Sequence, residues 1–380
     1  MTEKLYYKDS YIKEFDACVT GCYECDGAYE ITLDRTAFFP EEGGQYADTG
    51  KISGVSVLAV REDSSEIYHK ISAPLAVGAS VHGEIDFEDR FEKMQCHTAE
   101  HILSGVLHTL FGVDNVGFHL GGEDVTLDIS SPLTWEELLC AEERVNRAIF
   151  ENIEVVAVYP TPEQLSSLEY RSKLDITENV RIINIPGYDS CACCAPHVKR
   201  TGECGSMKIL DSEKLRGGMR IHITVGKRAY RTYKKMYENL SSISRSLSVP
   251  RLEAAAAVEK LTSDLESLKN AYKHARLSYF EREAELIEGT EDNLVLCYAD
   301  ATYDELRAIA NAASGKALGV LVLLSGQDGD YKYVISSSSV DLRAECKKIN
   351  AALCGRGGGS QSMVQGSFAA ALSDIKKYFI

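Results

Sequence analysis

Apolar and polar residues alternate in short runs over residues 1–90. AYEITLD, KISGVSVLAV and SEIYHKI are separated by Gly, Asp and Ser, the pattern of half-buried strands joined by turns. One stretch breaks it. TAFFPEEGGQYADTG, Thr36 to Gly50, holds too many turn formers for a regular strand. Its Gly-Gly pair suits a loop whose backbone approaches another group closely; a plain hairpin connection is the simpler alternative. From Arg90 the period becomes helical. Met94, His97, His101, Leu103, Val106, Leu107 and Leu110 fall at helical spacing, and Gly112 marks a stop. PLTWEELLCAEERVNRAIFENI gives a second amphipathic helix, with Thr134 as N-cap and Glu137 completing a capping box. Alternation returns in EVVAVYP and RIINIPG, and MRIHITVG reads as a strand.

From Tyr230 to about Glu288 the pattern is helical throughout. Leu261, Leu265, Leu268, Tyr272, Ala275 and Tyr279 alternate four and three apart, a heptad seam. Pro250 should begin or kink that helix. The seam suits a homodimer or packing within the chain. Residues 293–380 then alternate strand and helix, a small α/β arrangement. The expectation is an α+β protein in four parts. They are a β-rich, barrel-like segment 1–90 with the Gly-Gly loop, an α+β segment 91–230, a coiled-coil-like linker 231–290 and an α/β domain 291–380. GRGGGSQS, Gly355 to Ser362, lacks the Lys of a Walker loop. It reads either as a backbone nest for phosphates or as a flexible loop.

Composition narrows the class. With 44% hydrophobic and 26% charged residues the chain is an ordinary globular one. Its longest apolar runs, such as LGVLVLLSG, are strand-length, and MTEKLYYKDS has no signal-peptide pattern. A cytoplasmic location away from membranes is expected, with the 12 cysteines as thiols or metal ligands. The net charge of −16 argues against a nucleic-acid partner on average. Locally the balance reverses: Lys199 to Lys235 carries eleven Lys and Arg residues against Glu203, Asp211 and Glu213. That segment, with Arg216 and Arg220, is a candidate nucleic-acid footprint; a solvated face is the plain alternative.

The cysteines and histidines carry the chemistry. In HTAEHILSG, His97 and His101 stand one helical turn apart and can aim imidazoles at one cation, or be satisfied core residues. CACCAPHVKRTGECG repeats the spacing with Cys193 and His197. Together the pairs supply three nitrogens and one sulfur, a tetrahedral zinc set, with Cys191, Cys194 and Cys204 as competitors. Glu100 makes the first motif His-x-x-Glu-His, the signature of inverted zinc peptidases, for which Glu142 and Glu143 could offer an acidic third ligand. Cys18, Cys22 and Cys25 copy an iron–sulfur spacing, yet the short strands that follow do not suit the barrel such chemistry needs; ordinary thiols are expected.

Four ordered segments resemble the editing domain of alanyl-tRNA synthetases: TAFFPEEGGQYADTG, RFEKMQCHTAEHILSG, CCAPHVKRTGECG and LRGGMRIHITVG. The C-terminal region with GRGGGSQSMVQGSF resembles the DHH-associated domain of the same enzymes. The resemblance runs nearly end to end and points to a free-standing long-form AlaX-type editing protein. It implies ATP-independent hydrolysis of the aminoacyl ester of tRNA(Ala) mischarged with serine, or with glycine. It implies zinc on His97, His101, Cys193 and His197. Gly43 and Gly44 would approach the substrate, Thr36 would recognise the seryl hydroxyl and Gln45 would line the same pocket. Two departures stand out: Cys194-Ala195-Pro196 replaces the family's usual Gly-Gly-Thr, and Ser360, Gln361 and Ser362 replace basic or Pro residues. A non-catalytic tRNA-binding protein with a structural zinc is the main alternative, and Glu100 is expected on the helix surface or behind the metal ligands.

Overall fold

The computed structural model describes residues 1–25, 27–121, 125–172 and 180–380. They fall into two units, Met1–Ser242 and Ile243–Ile380. Each mixes helices with sheets, in keeping with an α+β protein.

In the first unit the alternating N-terminal segment closes into a barrel. Its strands are β1 (Glu14–Cys25), β2 (Ala28–Leu33), β3 (Gly50–Ile52), β4 (Val55–Asp63), β5 (Glu66–Ile71) and β6 (Ser80–Ile85), bonded in the closed order β1-β2-β5-β4-β3-β6. Alternate residues point inward, so Val19, Ile31, Leu33, Ile52, Val60, Ile67 and Ile71 pack with Phe15 and Phe38. Cys18, Cys22 and Cys25 all lie on β1. At about 3.3 Å per residue the outer two stand roughly 23 Å apart, too far to share a cluster.

The helix α1 (Phe87–Phe111) begins at Asp86, whose side chain accepts the Asp89 amide, and ends at Gly112 with φ 64°. Next come β7 (Asn115–Leu120), β8 (Val125–Ile129) and α2 (Trp135–Glu151). At the start of α2 the Glu137 amide donates to Thr134 Oγ1 at 3.2 Å, and the Thr134 amide donates to Glu137 Oε2 at 2.7 Å. A small antiparallel sheet follows: β9 (Val156–Val158), β10 (Ile182–Ile185) and β11 (Asp189–Ala192). The last strands, β12 (Met207–Leu215) and β13 (Gly218–Val225), complete an antiparallel sheet of order β12-β13-β8-β7. Met94, Leu103 and Leu107 of α1, Val145 and Ile149 of α2, and Leu127, Ile221 and Ile223 of the sheet share one core.

The expected single helical run is two helices, α3 (Gly226–Leu247) and α4 (Ala254–Glu285). Ser248 with φ 55° ends the first, and Pro250 caps the 3-10 turn that leads into the second. Within the second unit, Phe280 and Ala284 of α4 pack into the core, while Leu261, Leu265, Leu268, Tyr272 and Tyr279 are exposed. The rest is β14 (Leu294–Tyr298), α5 (Tyr303–Ala312), β15 (Leu321–Gln327), β16 (Asp330–Ser336), α6 (Leu342–Ala352), β17 (Gly355–Gly359), β18 (Met363–Phe368) and α7 (Leu372–Phe379). The sheet order is β14-β15-β16-β18-β17, with β14 and β15 parallel. The Gly-rich stretch, expected as a nest or loop, is the edge strand β17. Gly357 lies opposite Gly366, and a Cβ on Gly357 would come within 2.3 Å of the Gln365 carbonyl. Among the described residues no helix is long and apolar enough to cross a membrane.

Candidate metal centre and cavity

The Gly-Gly loop is built by its own turn and then clamped by α1. Glu42 and Gln45 exchange backbone hydrogen bonds at 3.1 and 3.2 Å across Gly43 (φ 63°) and Gly44 (φ 81°). Positive φ at both central residues is the geometry of the tightest hairpin turn. Gly44 is also pressed onto the neighbouring strand. Its carbonyl accepts the Leu120 amide at 2.9 Å, and a Cβ there would stand 2.3 Å from the Phe118 carbonyl. Three residues on one side of α1 hold this loop. Arg90 is buried on Asp48 and donates to the Ala37 carbonyl at 2.7 Å. Lys93 donates to the Ala47 carbonyl at 2.7 Å, and His97 Nδ1 is 3.0 Å from Gln45 Oε1.

The two histidine-containing pairs converge. The donor atoms of His97, His101, Cys193 and His197 all lie within 4.8 Å of one another. Cys193 Sγ is 3.3 Å from His197 Nε2 and 3.6 Å from His97 Nε2. Ligands about 2.0 Å (nitrogen) and 2.3 Å (sulfur) from a tetrahedral zinc stand roughly 3.3 to 3.5 Å apart. The side chains therefore fit that ion in type, number and spacing.

Each imidazole is oriented from behind. Gln45 Oε1 holds His97 Nδ1; Asp189 Oδ2 holds His101 Nδ1 at 3.0 Å; Thr98 Oγ1 holds His197 Nδ1 at 3.0 Å. These partners take Nδ1 of each ring, which leaves Nε2 as the nitrogen facing the cluster. Arg171 grips Asp189 with Nε and Nη2 at 2.8 and 2.9 Å. Arg181 Nη1 donates to the Cys193 and Ala195 carbonyls at 2.9 and 2.8 Å and fixes the cysteine loop. Charge is arranged for a thiolate. Burial would raise the Cys193 thiol, but the imidazoles of His97, His197 and His101 outweigh it and hold it well below its ordinary value. Burial pushes His197 down to about 3. Burial also opposes a charge on His101, yet the Cys193 sulfur and Asp189 carboxylate raise it well above the usual imidazole value.

The cluster lies beside a cavity of about 400 Å³ whose lining includes Gly43, Glu100, Asn115, Phe118, Arg171 and Cys194. Of the two places expected for Glu100, the structure excludes the helix surface and puts it beside the cluster, on the cavity wall. It is buried, accepting hydrogen bonds from Ser104 and Asn115. The four-residue cluster holds no carboxylate, although Asp189 and Cys191 bring donor atoms within 4.8 Å of that of His101 in a second group. Glu142 instead accepts from Lys208 and the Ile209 amide, both at 2.6 Å. Of the competing thiols, Cys204 is buried in the helix–sheet core, and Cys194 faces Gly43 with its thiol pushed up by burial.

Of the expected substrate contacts only Gly43 lines the cavity; Thr36, Gly44, Gln45, Arg216 and Arg220 do not, and Gln45 is fully buried against His97. Thr36 is fully buried and is not among the cavity-lining residues. Its Oγ1 is 2.8 Å from His69 Nε2 and accepts the Phe38 amide at 3.1 Å. Burial takes His69 down to about 4, so the ring is neutral, and Nδ1 faces the Ile31 carbonyl at 3.3 Å. The proton then sits on Nδ1, and Thr36 donates to Nε2. The hydroxyl thus turns into the barrel wall rather than toward a substrate. Arg220 pairs with Asp128 across the β8–β13 ladder at 2.7 Å, and Arg216 sits in the β12–β13 turn; neither lines the cavity. Thr98, Asp189, Arg171 and Arg181 escaped the sequence reading. For Asp189 a signal existed, an acidic residue four positions before Cys193.

A family model described as the threonyl and alanyl tRNA synthetase second additional domain matches residues 180–222. Over 99% of its length the chain is 30% identical to the alanyl-tRNA editing protein AlaX-L of Pyrococcus horikoshii, and the match covers 96% of that protein. It is 31% identical over 90% of its length to the alanine–tRNA ligase of Halorubrum lacusprofundi, of which it spans 39%. The C-Ala domain of Aquifex aeolicus alanyl-tRNA synthetase, a solved structure, matches 24% of the chain and 90% of that domain at 20% identity, with a TM-score of 0.21.

Proposed function

This chain belongs to the AlaX-type alanyl-tRNA editing family, and from that premise we propose that it hydrolyses the ester of tRNA(Ala) wrongly charged with serine, or with glycine, at a zinc site. The observation that carries the proposal is the convergence of His97, His101, Cys193 and His197 beside the cavity reached by Gly43. These four side chains would hold the ion. When bound, zinc supplies Lewis acidity toward an ester carbonyl or toward water. The four-part division read from the sequence is kept within the proposal. The barrel presents the loop, residues 91–230 form the site, residues 231–290 link, and residues 291–380 form the C-terminal α/β domain.

The chain's own residues do the positioning. Gln45, Thr98 and Asp189 keep a proton at Nδ1 of each histidine, so Nε2 is the available atom. The side-chain-free turn at Gly43 and Gly44 lets backbone come close to the ester. Phe118, with its ring centroid 5.0 Å from that of His97, keeps water from one side. Glu100 and Asn115 put polar groups on the cavity wall. A seryl hydroxyl can pair with such groups, whereas alanine leaves them unpaired, which is the favourable direction for discrimination. Thr36 enters as a positioning residue, since its hydroxyl fixes the Phe38 amide at the start of the loop.

Incubation with seryl-, glycyl- and alanyl-tRNA(Ala) tests the reading. Seryl-tRNA should be deacylated far faster than alanyl-tRNA, and a chelator should abolish the difference. Equal, background-level loss of all three esters would sink it and leave a binding protein.

A further inference from the structure

Residues 226–242 of the helix α3 belong to the first unit. Arg228 and Ala229 are the helix's buried residues, and Tyr233 through Asn239 are all exposed. Tyr230 and Tyr233 are each 68% exposed and Tyr237 47%. At 3.6 residues per turn these three positions fall within an arc of about 60°, with Lys227 and Lys234 along its flank. The rings of Tyr233 and Tyr237 lie near parallel, 27° apart, with centroids at 6.5 Å. On the next arc, Arg231, Thr232 and Lys235 line a cleft of about 140 Å³ with His222 and Thr224 of β13. Arg228 also lines it, and its buried Nε has no hydrogen-bond partner. Between Gly226 and Tyr237 the helix carries five cations and no acid, in a chain of net charge −16.

We propose that this face of α3 docks single-stranded nucleic acid. Bases stack on Tyr230, Tyr233 and Tyr237, and phosphates run beside Lys234 and Lys235. Aromatic rings in a row beside a row of cations match a single strand, which offers a π-face and a charge at every step. The occupant is a single-stranded stretch of the tRNA, so the proposal rests on the editing reading. Location favours it. Arg231 holds Glu92 of α1 at 2.6 and 2.7 Å. Glu92 precedes His97 by five residues, about 7.5 Å along the helix axis, so the face is rooted near the metal cluster. A second copy fits poorly, because a two-fold pairing of this face would set Lys227, Lys234 and Lys235 against themselves.

The test is fluorescence anisotropy with an end-labelled single-stranded RNA oligomer and with uncharged tRNA(Ala). Tyr230→Ala with Tyr233→Ala should weaken oligomer binding at least about fivefold per ring removed. Tyr230→Phe with Tyr233→Phe, which keeps the π-faces, should retain wild-type affinity. Unchanged binding by the alanine variant overturns the proposal. So does binding that Lys234→Glu and Lys235→Glu abolish while the tyrosine variants leave it intact, since the contact is then with phosphate alone. Sedimentation showing that the alanine variant splits a wild-type dimer assigns the face to a second copy and also overturns it. A wild-type protein that binds the oligomer through the tyrosines without hydrolysing seryl-tRNA supports this proposal and removes the deacylase reading.

Discussion

At Thr98 one hydroxyl serves two distant groups, meeting His197 Nδ1 at 3.0 Å and accepting the Val198 amide at 3.3 Å. The neutral histidine donates from Nδ1, so the hydroxyl decides which nitrogen is left for a metal. Thr98→Val should lower zinc affinity about 10- to 100-fold, while Thr98→Ser, which keeps the oxygen, should hold it. Competition with a chromophoric chelator reads this directly, and equal affinities for the two variants would refute the positioning role. Gln45 shows the same priority. Its Oε1 faces His97 Nδ1, and its buried Nε2 has no hydrogen-bond partner. Turning the amide over would satisfy nothing more and would place a donor against a donor. An unpaired buried donor costs about 1–3 kcal/mol, a cost that goes with keeping His97 Nε2 free.

At the scale of elements, α1 works as a hub because its periodicity sorts its partners. Arg90, Lys93 and His97 meet the Gly-Gly loop, His101 meets β11, and Leu103 and Leu107 enter the sheet core. Much of this was legible, because helix limits, caps and turns are written in neighbouring residues. Thr134 with Glu137 and the stop at Gly112 are of that kind. The Cys193–His197 half was legible because its spacing repeats that of His97 and His101. What failed depended on pairing across strands. Thr36 faces inward because register sets its side, and β17 hides in glycine until Gly366 stands opposite. In the second unit, Arg276 of α4 binds Glu305 of α5 through Nη2 and Oε2 at 3.0 Å. The same carboxylate accepts the Thr302 amide at 2.7 Å in a capping box. The Arg276 hydrogen bond, against some burial, brings Glu305 down to about 2 from 4.5. A depressed carboxyl stabilises fully above its unfolded value of 4.5, and the contribution is lost as pH falls toward 2. Glu305→Gln keeps the cap and removes the charge. It should cost about 2–3 kcal/mol at neutral pH, and the gap to wild type should narrow by about 1.4 kcal/mol by pH 3.5. Urea unfolding at both pH values measures it, and a gap that does not change with pH would assign the cost to packing.

For the whole molecule the question is how a chain of charge −16 would hold the tRNA that the proposed function requires. The basic segment answers only in part, because much of it is already paired. Lys199 meets Asp9, Lys208 meets Glu142, Arg220 meets Asp128, Lys227 meets Glu88, and Arg228 and Arg231 share Glu92. Arg200 is bonded to the Asn152 carbonyl. Apart from Arg200, the cations of the segment with no acidic partner within 4.0 Å among the described residues are Lys214, Arg216, Lys234 and Lys235. A paired cation must break its pair to bind phosphate and gains little, whereas each unpaired one releases a counterion. Four such contacts give a slope of log affinity against log salt of roughly −3, shallow for a tRNA-binding protein. Titrating tRNA binding from low to physiological salt tests this. Lys214→Gln with Arg216→Gln should flatten the slope by about 1.4 if both touch phosphate, and Arg220→Gln should leave it unchanged because Asp128 already holds that charge. A steep slope in the wild type would mean that the pairs open on binding, and the editing reaction would then weaken sharply with salt even where the metal cluster is intact.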